Sequence, residues 1–253
     1  NIRKWGKELL KLKLFFLLIL SLSMIILSSI YIKDFRIDAS SDTLVAKNDQ
    51  DFLYYNNYSK LFTSENFLVL AVESEEEIDI EFINNFKLIS SQILKLEQVK
   101  QVFSFIDAPI LFLNNSSLTN LNADNIENLR NTNLEISEVL KEFTKNPVYI
   151  DQIINKEASV FSIIIYLEKN LELIEARENF KNLIISKKNY FEIKSINDEK
   201  INNLIKNLRK IIKEADSKDQ YYLGGIDMIA NDVITFVKND IVVFSISEII
   251  IIL

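Results

Sequence analysis

Apolar positions along the chain fall into two unbroken runs with patterned segments between them. Leu14–Ile32 (LFFLLILSLSMIILSSIYI) holds nineteen residues without a charge. A helix of about 20 apolar residues, rising ~1.5 Å per residue, crosses the ~30 Å hydrocarbon core of a bilayer. Ser21, Ser23, Ser28 and Ser29 are compatible with such a helix, because serine hydroxyls bond back to helix carbonyls. Trp5 and Tyr31 flank the run, where amphipathic rings favour the membrane interface. The run is longer than the ~7–15 residues of a signal-peptide core, and no small-residue cleavage site follows it directly. The second run, Ile241–Leu253 (IVVFSISEIIIIL), is thirteen residues and too short to span alone. It reads as the outer half of a second membrane helix cut by the end of the chain. The pattern thus predicts a basic N-terminal segment (1–13), a membrane helix (14–32), one folded domain (33–240) and the start of a second membrane helix (241–253).

Inside the domain the period alternates between strand and helix. Asp34–Lys47 has no steady period and reads as an extended lead-in. Asn48 is placed to cap a helix whose apolar side is Phe52, Tyr55, Leu61 and Phe62. Asn66–Glu73 (NFLVLAVE) is a short Val- and Leu-rich run that suits a buried strand. Asp79–Leu96 carries Phe82, Phe86, Ile89, Ile93 and Leu96 at spacings of three and four, one face of a helix. Val99–Phe105 reads as a strand. Strand, helix and strand with short joins make a βαβ unit.

The region of about 106–157 reads as an insertion. It holds both prolines, a polar Asn/Ser stretch from Asn114 to Asn125 and a helix-like segment Leu134–Phe143. That composition predicts surface position and mobility. Ala158–Leu167 is a second strand, Leu171–Ile185 a helix and Tyr190–Ile196 a short strand. Ile201, Leu204, Ile205, Leu208, Ile211, Ile212 and Ala215 form a long helical stripe. Gln220–Leu223 is a last strand, ended by Gly224-Gly225, and a helix over Ile226–Asn239 leads into the second apolar run. Two βαβ units in tandem predict an α+β domain of the ferredoxin-like, split βαβ kind, with two helices on one face of a mixed sheet.

Composition removes several chemistries. The 253 residues include no cysteine and no histidine. Disulfides, thiol nucleophiles, zinc sites built on Cys or His, and imidazole bases are therefore excluded. Three glycines, Gly6, Gly224 and Gly225, are too few for a Rossmann turn or a P-loop. Net charge is −7, which argues against nucleic acid as a partner. Basic residues do cluster at Arg3, Lys4, Lys7, Lys11 and Lys13, while Lys33 and Arg36 are balanced by Asp34 and Asp38. The positive-inside rule then places the N-terminus in the cytoplasm and residues 33–240 in the periplasm. Cysteine is permitted there but not required.

No spacing of carboxylates, lysines or hydroxyls predicts catalysis, and no cofactor or metal is implied. Glu75–Glu81 complements the positive end of the following helix and lacks the Asp-x-Asp-x-Asp-Gly pattern of a calcium loop. Tyr54, Tyr55 and Tyr58 read as packing residues. Two features remain. Gly224 and Gly225 stand where a strand becomes a helix and are assigned to backbone geometry, either positive φ or close approach. Glu248 lies inside the second apolar run, ~10 Å past its start. A carboxylate at that depth is costly and is a functional candidate, against the simpler reading that it snorkels or faces a neighbouring helix.

The order of these parts resembles the N-terminal portion of an RND-superfamily exporter of the MMPL, or predicted-exporter, branch. The resemblance covers nearly the whole chain. It is carried by the basic N-terminus and first membrane helix, the acidic lead-in DASSDTLVAKNDQD (Asp38–Asp51), the strand NFLVLAVES, the strand and turn VKQVFSFIDAP, and YYLGGIDMIANDVITFVKND running into the second helix. It implies a multi-pass inner-membrane permease driven by the proton gradient, with this domain as its first porter-like periplasmic domain. Its partners would be the bilayer, a hydrophobic or lipid-like substrate, the remaining membrane helices of the same protein and a possible second copy. The family's proton-relay carboxylates lie on later helices, so none carries over, and Glu248 matches no family motif. The competing class is a sensor, a chemoreceptor or sensor kinase with a periplasmic domain between two membrane helices. The tandem βαβ pattern and the glycine pair favour the exporter, and the residues beyond Leu253 discriminate the two.

Overall fold

The computed structural model describes residues 66–113, 127–215 and 218–252, with scattered positions between 13 and 27 and between 50 and 58. The chain divides into two compact units, Asn1–Asp38 and Ala39–Leu253. In the first, the described positions are helical. Most of the expected membrane helix (14–32), the lead-in Asp34–Lys47 and Asn48 lie outside the described residues.

The second unit is a mixed α+β domain built on a four-stranded antiparallel sheet. Its elements are β1 (Phe67–Glu73), α1 (Ile80–Leu94), β2 (Val99–Ser104), α2 (Ile136–Phe143), β3 (Val160–Leu167), α3 (Leu171–Lys181), α4 (Lys187–Glu214), β4 (Gln220–Gly224) and α5 (Ile226–Ile252). Strand order is β2-β3-β1-β4, and every neighbouring pair is antiparallel. The sheet is not mixed, as the sequence reading supposed. β1 and β2 do run in the same direction, as a βαβ unit requires. They are not neighbours, because β3 lies between them, and likewise β1 lies between β3 and β4.

Local signals account for most of these elements. Asp79 caps α1, its carboxylate accepting from the Phe82 N–H at 2.8 Å. α1 then buries Phe82, Ile83, Phe86, Ile89 and Ile93, the stripe set by the 3.6-residue period. Alternate residues of β1, Leu68, Leu70 and Val72, point at this helix layer and are at most 1% exposed. Phe161, Ile163 and Ile165 of β3 and Leu204 and Leu208 of α4 complete the layer. Phe105 sits at its centre, its ring 4.6 Å from Phe161 and 4.9 Å from Phe86.

Two further expectations are corrected. Tyr190–Ile196 is not a strand but part of the first half of α4. Ser186 caps that helix by accepting from the Asn189 N–H at 3.2 Å, and Tyr190 and Ile193 continue backward the stripe of Ile201, Leu204 and Leu208. The insertion is not a surface loop over its described length. Ile106, Ala108, Ile110, Val139, Phe143, Ile153 and Ile154 are buried, and Ser162 of β3 donates its N–H to the Ile153 carbonyl at 3.0 Å. The segment therefore packs on the core and pairs with the first residues of β3, on the side that β2 does not reach. Its polar stretch, Asn114–Asn125, lies outside the described residues.

The expected flanking membrane helices (14–32 and 241–253) find no support among the described residues, and most of 14–32 lies outside them. Among the described residues no helix is long and apolar enough to cross a membrane. The run from Ile241 is the last part of α5, a single helix of 27 residues. Asp227, Asp232, Lys238, Asp240 and Glu248 interrupt its apolar character along its length.

Candidate functional site

The two glycines meet different demands. Gly225 has φ of 134°, and a Cβ there would lie 2.7 Å from Leu68 Cδ2 and 3.2 Å from the Phe67 carbonyl oxygen. An L side chain there is strained by the backbone and crowds Leu68 and the Phe67 carbonyl. Gly224 is an ordinary strand residue opposite Val69, and a Cβ on it would meet only the Val69 carbonyl oxygen at 3.9 Å. The chain turns at Gly225 from β4 into α5, pressed against β1. Glu248 is exposed on α5. It stands 22 residues beyond Ile226, about 33 Å along the helix axis at ~1.5 Å per residue. The glycines and Glu248 are therefore not brought together.

The first turns of α5 rest on α4 through polar side chains. Arg209 pairs with Asp232 at 2.7 Å and places the same guanidinium nitrogen 3.8 Å from Met228 Sδ. Farther back along α4, Lys194 pairs with Asp198 at 3.0 Å. Asn170, at the start of α3, donates to the Asn197 side-chain oxygen at 2.9 Å. Asp227 faces this group. Burial, and secondarily the charge of Asp198, holds its carboxyl above the usual aspartate range. Sequence reasoning missed Asp227, whose neighbours are distant in the chain. Among the described residues no group of three or more Asp or Glu side chains is placed to hold a metal ion.

A second polar site is sealed inside the insertion. Glu142 is 8% exposed. Its carboxylate accepts three successive backbone N–H groups, from Leu111 at 2.7 Å, Phe112 at 3.1 Å and Leu113 at 2.9 Å. Tyr149 lies beside it and donates to the Pro109 carbonyl at 2.8 Å. Burial, with the Glu142 charge second, pushes the Tyr149 hydroxyl up. A buried carboxylate with three N–H donors is a fastener for the loop that follows β2, not a reactive group.

The broadest candidate is the sheet face away from α1 and α4. Register puts Phe67, Val69, Phe103, Ile164, Tyr166 and Tyr222 on that side. They range from half-buried to exposed, with Phe67 51% and Tyr222 52% exposed. The Phe67 and Tyr166 rings lie 6.4 Å apart. At the polar end of this face the Tyr222 hydroxyl donates to Gln220 at 2.7 Å and lies 3.3 Å from Glu73. The sequence reading took β1 for a buried strand, because it is a short run rich in Val and Leu. One of its faces is instead partly open, with Phe67 and Tyr222 exposed and Val69, Phe103, Ile164 and Tyr166 half-buried. No family model matches the chain, and no curated protein matches it.

Proposed function

We propose that the chain is the N-terminal part of an RND-type exporter that moves hydrophobic or lipid-like molecules using the proton gradient. In this reading residues 33–240 form a porter-like domain of the ferredoxin-like, split βαβ kind outside the inner membrane, with the N-terminus in the cytoplasm. The observation that carries the reading is the partly open sheet face. An α+β domain of this size ordinarily covers the apolar side of its sheet, and apolar side chains left half-exposed across a sheet face mark a contact surface. A face lined by Phe67, Ile164 and Tyr166 suits an amphiphile, whose acyl or ring portion needs area and few hydrogen bonds. The strand-to-helix junction at Gly225 supports the same reading, because it ties that sheet to α5 and hence to the apolar run from Ile241.

Efflux of a lipophilic fluorescent dye from cells expressing the full gene product tests it. Extrusion should depend on the proton gradient and should slow in Phe67→Ser and Tyr166→Ser variants that still reach the membrane. Glu248→Gln should also slow it if that carboxyl serves transport. Efflux that is indifferent to the gradient, or unchanged when the sheet face is made polar, would overturn the assignment. Protease treatment of spheroplasts should cut within 33–240, and resistance of that region would overturn the topology.

A further inference from the structure

The turn between α3 and α4 exposes an apolar tip of the domain. α3 ends with Asn182 as its C-cap. Leu183 then adopts φ of 59°. Its N–H bonds to the Phe180 carbonyl at 3.1 Å, and the Ile184 N–H to the Asn179 carbonyl at 2.8 Å. This pair of bonds is the Schellman closure, and its left-handed position is normally glycine. A leucine there is strained, yet its side chain packs on nothing in the fold. Leu183 is 89% exposed and Ile184 68%. Strain that serves no internal contact points to a use outside the domain.

The surroundings of the tip identify that use. Residues 179–191 contain Lys181, Lys187 and Lys188 and no acid, with exposed Glu178 and Glu192 immediately outside, in a chain of net charge −7. All three lysines are exposed. Behind the tip the Phe180 and Tyr190 rings stack at 4.8 Å and 5°, and the Lys187 ammonium lies 5.7 Å from the Phe191 ring centre. The neck is thus aromatic and the collar basic. The shape is a convex point of two large apolar side chains. Such a point buries too little area for a stable protein interface. A bilayer accepts it, because acyl chains close around an inserted side chain while headgroup phosphates meet the lysines. α4 and α5 run in the same sense, since Asp198 faces Asp227 and Arg209, further along, pairs with Asp232. The tip therefore lies at the end of α4 remote from the apolar run of α5 and is not an extension of it.

We propose that the α3–α4 turn is a lipid-docking tip: Leu183 and Ile184 insert into an anionic bilayer surface, and Lys181, Lys187 and Lys188 bind its phosphates. This does not rest on the exporter reading.

The chain contains no cysteine, so Asn182→Cys in the full chain accepts a single environment-sensitive fluorophore beside the tip. Vesicles in which about a third of the lipid is phosphatidylglycerol should shift its emission to the blue, and nitroxide-labelled lipids should quench it. Vesicles of phosphatidylcholine alone should do so far less. Adding Leu183→Asp should weaken the apparent lipid affinity at the label by about tenfold or more. Lysine-to-glutamine changes should weaken it roughly fivefold each. Leu183→Gly provides the control for folding. It restores the usual residue of the closure, so it should raise thermal stability and still lose the quenching. An unchanged signal in Leu183→Gly and Leu183→Asp, or equal quenching by neutral and anionic vesicles, would overturn the proposal. A blue shift that grows with protein concentration in the absence of vesicles would overturn it too, by seating the tip on a second copy.

Discussion

Glu142→Gln isolates the fastener inside the insertion. The substitution keeps the size of the side chain and removes its charge. One amide oxygen can still accept, but the NH2 group must now face a backbone N–H that had a carboxylate oxygen. At least one of the Leu111, Phe112 and Leu113 donors loses its partner, and the others lose charge assistance. Hydrogen bonds to a charged group contribute about 1.5–3 kcal/mol each, and a buried unpaired donor costs about 1–3 kcal/mol. Some of this is recovered where water reaches the loop, so the expected loss is about 2–4 kcal/mol. It should appear locally, as hydrogen exchange at those three amides faster by roughly 30-fold to several hundred-fold. Glu142→Ala should do the same with an added packing loss. The substitution also removes the charge that helps hold Tyr149 up. The Tyr149 hydroxyl should then titrate lower, as read by carbon NMR of labelled tyrosine and assigned with Tyr149→Phe. Burial remains, so the pKa should fall only part of the way. Unchanged exchange at residues 111–113 in the Gln variant would refute the reasoning, because it would mean that the loop holds its place without the carboxylate.

Three further outcomes follow from the packing. Gly225→Ala should destabilise the domain by about 2–4 kcal/mol in urea unfolding, through both φ and the Leu68 contact, whereas Gly224→Ala should stay within about 1 kcal/mol; equal effects would refute the distinction. Phe105→Ala, at the centre of the ring cluster, should cost about 3–5 kcal/mol, and a loss below ~1 kcal/mol would show that the cluster is not the core. Asp227 has a raised carboxyl pKa, so its ionisation opposes folding. Its contribution is most favourable below the ordinary value of 3.8 and is lost as pH rises through the folded value. Asp227→Asn should therefore gain stability over the parent as pH rises above that region, and a pH-independent difference in melting temperature would refute the argument.

Elements whose causes are local could be read from the sequence. The Asp79 cap and the Phe82, Phe86, Ile89, Ile93 spacing fix α1 within a few residues, and the run of Val and Ile fixes β3. Errors arose where a distant contact decides the outcome. Tyr190–Ile196 has strand-like composition, and only its phase with Leu204 and Leu208 makes it helical. The insertion looks polar on average because Asn114–Asn125 dilutes Ile106, Ile110, Val139 and Phe143. Glu142 and Asp227 are acids among many acids. Their roles come from partners some 30 residues away: backbone groups without a residue signature for Glu142, and the Asp198 side chain for Asp227. The partly open sheet face was hidden because β1 is apolar at successive positions, so alternation could not tell a covered side from a bare one.

The C-terminal helix has an unmet physical requirement that its fold neighbours do not supply. α5 is fastened to the domain through Gly225, Met228 and Asp232, all within its first two turns. Beyond Asp240 its side chains are exposed as far as Ile251. A helix that is polar on one side can lie on a domain with its other side in water. From Ile241 the helix is apolar all round except at Ser245, Ser247 and Glu248, so no rotation about its axis hides the apolar atoms. Ser245 and Ser247 return their hydroxyls to the Ile241 and Val243 carbonyls, at 2.7 and 2.8 Å, which removes them as polar contacts to solvent. The apolar part of the segment is therefore exposed around the helix and calls for an apolar cover, whether acyl chains or other helices. Glu248 is the one group that restricts how this is done, because its carboxylate must keep water, a hydrogen-bond donor or a cation within reach. Any cover therefore has to be asymmetric around the helix, polar along the line through Glu248 and apolar elsewhere.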